Sequence, residues 1–146
     1  MQIIRVTTPA QLEEAYRIRI AVFVEEQGVP QEEELDAYED EAEHLLVYAD
    51  GQPVGAARLR QVSGVAKLER ICLLPAYRQS GFGRQIIAEL EQMALDNGWT
   101  EAKLHAQEQA QGFYAKLGYH PASEVFMEEG IPHLVMKKTL RPPSAE

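Results

Sequence analysis

The chain of 146 residues carries a net charge of −9, with 45% hydrophobic and 25% charged residues, a composition typical of one globular domain. The acidic balance argues against a nucleic-acid binder, and no apolar run approaches the ~20 residues of a membrane span. Cys72 is the one cysteine, which excludes an intrachain disulfide and favours a reducing compartment. We therefore expect a cytoplasmic protein with one domain over residues 1–140 and a disordered tail over residues 141–146.

The first quarter of the chain predicts a strand and a helix. Residues 1–7 alternate weakly in polarity, as a strand does. A helix start follows, with a cap, a proline in the first turn and a capping-box partner at Thr8, Pro9 and Gln11. Apolar residues at a spacing near 3.6 carry this helix through Phe23, and Gly28 and Pro30 end it. An acidic loop with room for a short helix comes next.

The middle and end of the chain predict a mixed sheet. An antiparallel meander is expected over residues 44–49, 53–62 and 65–74, with turns at Asp50-Gly51 and Ser63-Gly64. Then come a helix, a strand, a helix and two strands, over residues 84–97, 102–106, 109–117, 122–127 and 133–138. This order predicts an α/β fold with helices on both faces of a mixed sheet, and a βαβ unit that contains a parallel strand pair.

Charge is divided unevenly along the chain. Residues 21–57 hold 11 acidic residues and no Lys or Arg, whereas residues 58–84 hold six basic residues and one acid, Glu69. The acidic stretch suits a cationic ligand and the basic stretch an anion. Solvated faces are the alternative interpretation of both stretches.

A glycine-rich turn stands between a predicted strand and a strong helix, in the run Arg78–Arg84. Gly81 and Gly83 let backbone N–H groups approach a ligand, and a helix start adds free donors and a positive dipole end. The run can therefore hold a diphosphate, although a plain tight turn is the alternative. A Walker loop is excluded because no Gly-Lys-Ser/Thr is present, and a dinucleotide fingerprint is excluded because Ile86 stands where the third glycine belongs.

Three motifs in register resemble the GNAT superfamily of acyl-CoA N-acyltransferases. The first is the turn itself, in which Arg78, Gly81 and Gly83 fit the family pattern. The second follows the fifth strand, with matching spacing at Gln107, Ala110, Tyr114 and Gly118-Tyr119. Gln107 and the segments over 19–27 and 129–133 are most similar to the bacterial ElaA-like subfamily. The resemblance covers about residues 3–138.

This resemblance implies a GNAT fold, in which a mostly antiparallel sheet contains a parallel but splayed pair of strands four and five. It implies acetyl-CoA as the cosubstrate, with the pantetheine arm in the gap along the backbone of Ile71, Cys72 and Leu73. The diphosphate would be held at Arg78, Gln79, Ser80, Gly81, Phe82, Gly83 and Arg84, and Gln107 and Tyr114 would also contact the cofactor. We expect no metal, because the histidines lack ligand spacing and there is no cysteine pair.

The resemblance also implies transfer of an acetyl group to a primary amine, in a ternary complex. Tyr114 would give a proton to the CoA sulfur, its alternative being a core tyrosine packed beside Phe113. Glu69 and His133 are the candidate bases; a salt bridge is the alternative for Glu69 and a structural role for His133. The acceptor, a small-molecule or peptide amine, would be flanked by Arg19, Glu26 and Gln27. A non-catalytic acyl-CoA-binding or interaction module is the competing hypothesis, and the protein is expected to be a monomer or a homodimer.

Overall fold

The computed structural model describes residues 1–141, which form one eight-stranded sheet with helices packed on it. The strands are β1 (Gln2–Arg5), β2 (Glu43–Ala49), β3 (Gln52–Val62), β4 (Val65–Leu73), β5 (Glu101–Gln107), β6 (His120–Pro121), β7 (Phe126–Glu128) and β8 (Ile131–Thr139). The α-helices are α1 (Pro9–Arg19), α2 (Gln31–Glu34), α3 (Phe82–Asp96) and α4 (Gln111–Lys116). Of the predicted tail, Arg141 is exposed and residues 142–146 lie outside the described part of the chain.

The sheet runs in the order β1-β2-β3-β4-β5-β8-β6, with β7 also paired to β8. All neighbours are antiparallel except β4 and β5, so the predicted mixed sheet is confirmed. The meander turns lie where the sequence predicts them, and Asp50 and Ser63 adopt positive φ beside their glycines. Such φ values match the twist of tight hairpin turns.

The parallel pair is short and then diverges. Only Ala66, Lys67 and Leu68 of β4 are paired, with Ala102, Lys103 and Leu104 of β5. Beyond these pairs the two strands separate, which confirms the splayed pair. Arg70 adopts a φ of 57°, and the register of β4 against β3 shifts nearby, between Ala56 and Arg58. This bulge changes the direction of β4 at the point where the gap opens.

Two apolar layers cover the two faces of the sheet. On one face α3 packs its apolar stripe, Ile86, Ile87, Leu90, Met93 and Ala94, into the larger core. On the other face α1 contributes Ala15 and Ile18 to a smaller core that includes Cys72. α1 does not extend over β5 and β8, so the outer part of this second face is open to the cleft described below. No helix among residues 1–141 is long and apolar enough to cross a membrane.

Two predicted elements are wrong in detail. The first helix is not continuous, because α1 ends at Arg19 and a π-helical turn continues over Ile20–Glu26. Three β-branched residues, Ile20, Val22 and Val24, disfavour a regular α-helix there. Of the strand predicted over 122–127, only residues 126–127 belong to a strand, β7, whereas β6 comes before the predicted range. The Ser123 hydroxyl accepts the bond from the Val135 N–H (2.8 Å), so a side chain replaces the backbone partner that a continuous strand would supply.

Candidate active site

The gap between β4 and β5 opens into a cleft of about 550 Å³. Its walls come from both strands, the π-helical turn, the acidic segment after it and the β7–β8 turn. The predicted site residues that line it are Gln27, Glu69, Ile71, Cys72, Leu73, Arg78, Gln107, Tyr114 and His133. Arg19, Glu26 and the turn residues 79–84 lie outside its walls. The structure therefore brings nine of the predicted residues together in one cleft and leaves the others outside its lining.

The backbone of β4 presents a free edge to this cleft. Cys72 and Leu73 pair with Ala56 and Gly55 of β3 on one side, and no strand within residues 1–141 pairs with them on the side of β5. Gly55 allows β3 to lie close to this part of β4, because a Cβ at residue 55 would lie only 2.9 Å from the Cys72 carbonyl oxygen. An unpaired strand edge offers hydrogen-bonding groups to an extended ligand.

The glycine-rich turn ends in a helix start that has no side-chain cap. Gly81 is the N-cap residue with a φ of 85°, and Gln79 before it has a φ of 61°. The first intrahelical bond of α3 is from the Gln85 N–H to the Gly81 carbonyl. The N–H groups of residues 82–84 have no partner in the described part of the chain, and they can bind an anion at the positive end of the helix dipole.

Arg78 joins the turn to the π-helical segment. Its Nε donates to the Leu73 carbonyl (3.0 Å), and its two terminal nitrogens donate to the Glu26 carboxylate at 2.7 and 2.6 Å. The hydrogen bond from Arg78 lowers the pKa of Glu26. Two residues predicted for different substrates are thus paired with each other at the mouth of the cleft.

Tyr114 is half-buried in the cleft wall, on α4. Its ring contacts Phe113 and Tyr119 in edge-to-face geometry, with centroids 5.0 and 6.0 Å apart. Its hydroxyl has no hydrogen-bond partner within residues 1–141. Burial raises the pKa of Tyr114 to about 12, so the phenol keeps its proton at neutral pH. The phenol is therefore able to donate a hydrogen bond or a proton to a group bound in the cleft.

Glu69 is buried among cations. Its carboxylate binds Arg58 (2.8 Å), Arg60 (2.8 Å) and Lys67 (2.9 Å). Burial acts to raise the pKa of Glu69, but the hydrogen bond from Arg60 and the charges of Arg58 and Lys67 outweigh it and hold the pKa at about 2. Such a carboxylate is a weak base. The geometry favours the salt-bridge alternative for this residue.

His133, a predicted base, lies in a cluster with Glu128 and His105, two residues that the sequence analysis did not identify. Its Nδ1 lies 2.7 Å from the Ile131 carbonyl oxygen, and its Nε2 lies 3.9 Å from a Glu128 carboxylate oxygen. The other Glu128 oxygen lies 2.7 Å from Nδ1 of His105. The hydrogen bond from His105 lowers the pKa of Glu128 despite partial burial. Strand alternation could have identified His105, because it is two residues before Gln107 on the same face of β5.

Arg19 acts behind the cleft rather than in it. Its side chain is fully buried and binds Glu34 (2.9 Å) and Glu39 (2.7 Å), which fixes the acidic segment against α1. Gln27 does reach the cleft, where its Oε1 accepts from Nε2 of Gln107 (3.2 Å). Burial raises the pKa of the Cys72 thiol to about 12, so this residue is a poor nucleophile.

Comparison with known proteins identifies the family. A family model described as an acetyltransferase (GNAT) domain matches residues 8–140. The chain belongs to the GNAT acetyltransferase family. Bacillus subtilis YyaT is 49% identical over 143 residues, which cover 96% of this GNAT chain and 97% of YyaT.

No group of three or more His, Cys, Asp or Glu side chains in residues 1–141 is arranged to hold a metal ion.

Solved GNAT structures share the fold. An acyl-CoA N-acyltransferase from Pseudomonas aeruginosa has a TM-score of 0.85 and 28% identity, covering 95% of this chain and 100% of that one. Escherichia coli ElaA has a TM-score of 0.84 and 25% identity, covering 94% and 99% of the two chains. The resemblance to GNAT proteins of the ElaA type is therefore confirmed.

Proposed function

We propose that this GNAT chain is an N-acetyltransferase that moves the acetyl group of acetyl-CoA to a primary amine. The free edge of β4 beside the free N–H groups of α3 carries the proposal. An extended amide-containing arm fits the edge and a diphosphate fits the helix start. The similar protein from Pseudomonas aeruginosa is named as an acyl-CoA N-acyltransferase, which supports the same donor class here.

The cofactor would lie along the wall built by β4 and the turn. Backbone groups of residues 71–73 would pair with the pantetheine arm, and residues 78–84 would surround the diphosphate. The Arg78 guanidinium is held by Glu26, so the backbone of the turn supplies the main contacts to the anion. Gln107, at the end of β5, is positioned by Gln27 on the opposite wall of the gap.

Tyr114 and the chain backbone would serve the leaving group and the carbonyl. The amine nitrogen bonds to the acetyl carbon, the carbon–sulfur bond breaks, and Tyr114 gives its proton to the sulfur. A backbone N–H at Leu73 would polarise the carbonyl where negative charge develops. Direct attack requires only that both substrates are held in one cleft.

His133 is the better of the two predicted bases. A carbonyl oxygen only accepts, so the bond to Ile131 places the proton of the neutral ring on Nδ1 and leaves the Nε2 lone pair free. Nε2 would take the amine proton, and the nearby Glu128 carboxylate would stabilise the imidazolium that forms. Glu69 would not take a proton itself, and its role would be to hold Arg58, Arg60 and Lys67 in place.

Calorimetric titration with acetyl-CoA, with adenosine diphosphate as a control, tests the cofactor. Release of free thiol in the presence of a panel of primary amines then tests transfer. We expect acetyl-CoA to bind well below millimolar Kd and at least one amine to give turnover. Binding without turnover on any amine would favour the acyl-CoA-binding module, and absence of binding would overturn both functions.

A further inference from the structure

Four cationic residues form a row across four adjacent strands. Arg60 of β3 is directly opposite Lys67 of β4, Lys67 is opposite Lys103 of β5, and Lys103 is opposite Lys137 of β8. Residues directly opposite in a sheet have side chains on the same face. We call these four residues the cationic row.

The cationic row carries charge that the protein does not neutralise. Within residues 1–141, Glu69 is the one carboxylate that pairs with the row, and Glu69 also binds Arg58. Lys103 and Lys137 form no ion pair in the part of the chain described by the structure. Burial and the charges of Lys67, Lys137 and Arg60 lower the pKa of Lys103. Repelling cations held together in a chain of net charge −9 favour an anionic ligand.

The cationic row begins inside the cleft and leads out of it. Arg60 and Lys67 line the cleft, whereas Lys137 is exposed at the far end. The row crosses the sheet where β4 and β5 are still paired, immediately before they diverge. A molecule in the cleft therefore contacts Lys67, and one that extends out of the cleft along the row reaches the half-buried Lys103 beside it.

A group of the opposite charge, the Glu128 carboxylate, lies in the cleft beside His105, one step further along β5. His105 follows Lys103 by two residues on β5, about 7 Å in a strand, and it binds Glu128 at 2.7 Å. Glu128 and Glu129 line the cleft beside His133. A cation is favoured at this end and an anion at the row.

We propose that the acceptor is a small amine that also carries an anionic group, a carboxylate or a phosphate. Its ammonium end binds near Glu128 and His133, and its anionic group binds at Lys67 and Lys103. The amine and the anion are then about 5–8 Å apart, close to one strand repeat. This inference rests on the proposed function and specifies the substrate class of the same site.

A matched series of acceptors tests the class. The values of kcat/KM are compared for 5-aminopentanoate, pentylamine and 1,5-diaminopentane, with 3-aminopropyl phosphate as the phosphate arm. We expect at least one anionic acceptor to exceed both controls by about tenfold, the effect of one ion pair of ~1.4 kcal/mol. Its advantage should decrease as salt is added, because Lys67 and Lys103 are only partly buried and salt screens their attraction for the anion.

Variants localise the effect to the row. Lys103→Gln should raise KM for the anionic acceptor about tenfold and leave KM for pentylamine and for acetyl-CoA unchanged. Arg17→Gln is the matched control, because Arg17 is an exposed cation on α1 that is outside the cleft. It removes the same charge and should change none of these values.

A binding measurement separates this inference from the proposed function. Calorimetry follows 5-aminopentanoate and 3-aminopropyl phosphate added to the protein saturated with CoA, in which no transfer occurs. Binding that Lys103→Gln weakens supports the anion site even if no acceptor is acetylated. Turnover that favours 1,5-diaminopentane, or binding that is insensitive to Lys103→Gln, overturns the site and leaves the transferase function standing. If the protein shows no binding of these compounds and no turnover of any amine, both the anion site and the transferase function are overturned.

Discussion

Tyr114 combines a raised pKa with a hydroxyl that no neighbour binds within the described residues. Tyr114→Phe keeps the ring against Phe113 and Tyr119 and removes only the proton donor. We expect kcat to fall by about 10²–10⁴, the usual contribution of a general acid, with the Kd for acetyl-CoA unchanged. Steady-state kinetics and calorimetry on the same preparation measure both values. An unchanged kcat would exclude Tyr114 as the acid.

A motif in one short stretch of chain is enough to bring residues together. Tyr114 and Gln107 line the same cleft because they belong to one such stretch, and their roles toward a cofactor stay predictions. Ion pairs between residues that are far apart in the sequence could not be predicted. Arg19 binds carboxylates 15 and 20 residues away, and Glu69 binds Arg58 on a neighbouring strand. Sequence patterns report local periodicity and do not specify which charges will meet.

Gly55 has a role at the level of the strand pair, which the sequence did not indicate. A Cβ at this position would lie 2.8 Å from Leu73 Cδ2 and 2.9 Å from the Cys72 carbonyl oxygen, so the β4 backbone would have to move. Gly55→Ala should lower the free energy of unfolding by about 1–3 kcal/mol. It should also weaken acetyl-CoA binding, because the displaced backbone is the proposed cofactor edge.

Denaturant unfolding and calorimetry measure these two effects. Gly112→Ala is the control, because a Cβ there would meet nothing within 4 Å and the φ of Gly112 is not positive. It should keep the Kd for acetyl-CoA. If Gly55→Ala bound acetyl-CoA as the parent does, the edge of β4 would not be the cofactor contact.

Elements were predictable where local chemistry determines them. The capping box at Thr8 and Gln11 begins α1 as expected, since both reciprocal bonds are present. The end of that helix was not predicted. Apolar residues continue at a spacing near 3.6 through the π-helical turn over Ile20–Glu26, so their periodicity is the same as that of a continuous α-helix. The division between β6 and β7 depends on one hydroxyl, Ser123, whose partner is 12 residues away.

The whole molecule is stabilised by carboxylates whose charge is held by buried cations. Both Glu69 and Asp36 have a pKa of about 2, below the ordinary values of 4.5 and 3.8. Well above pH 4.5 both groups are ionised in the folded and the unfolded chain, so the stabilisation is complete. As pH falls through 4.5 toward 2, the unfolded chain takes up protons first and stability is lost. The Glu69 contribution is about 3 kcal/mol.

The free energy of unfolding should therefore decrease between pH 5 and pH 3. Urea denaturation at a series of pH values measures it. Glu69→Gln should be less stable than the parent at pH 7, because three cations lose a charged partner. Its stability should also decrease less steeply with acid. Parallel curves for the two proteins would show that Glu69 does not contribute to the acid sensitivity.

The short parallel pairing between β4 and β5 divides the sheet into two parts, β1–β4 and β5–β8. In the described residues, three backbone pairs join the β1–β4 part of the sheet to the β5–β8 part. A joint this small makes the strand edges above it prone to local opening, and their amides should exchange readily with solvent. An extended arm bound along β4 would lengthen the joint without any added protein. The cosubstrate would then act as a temporary strand, and the sheet would be most nearly continuous only while the enzyme is loaded.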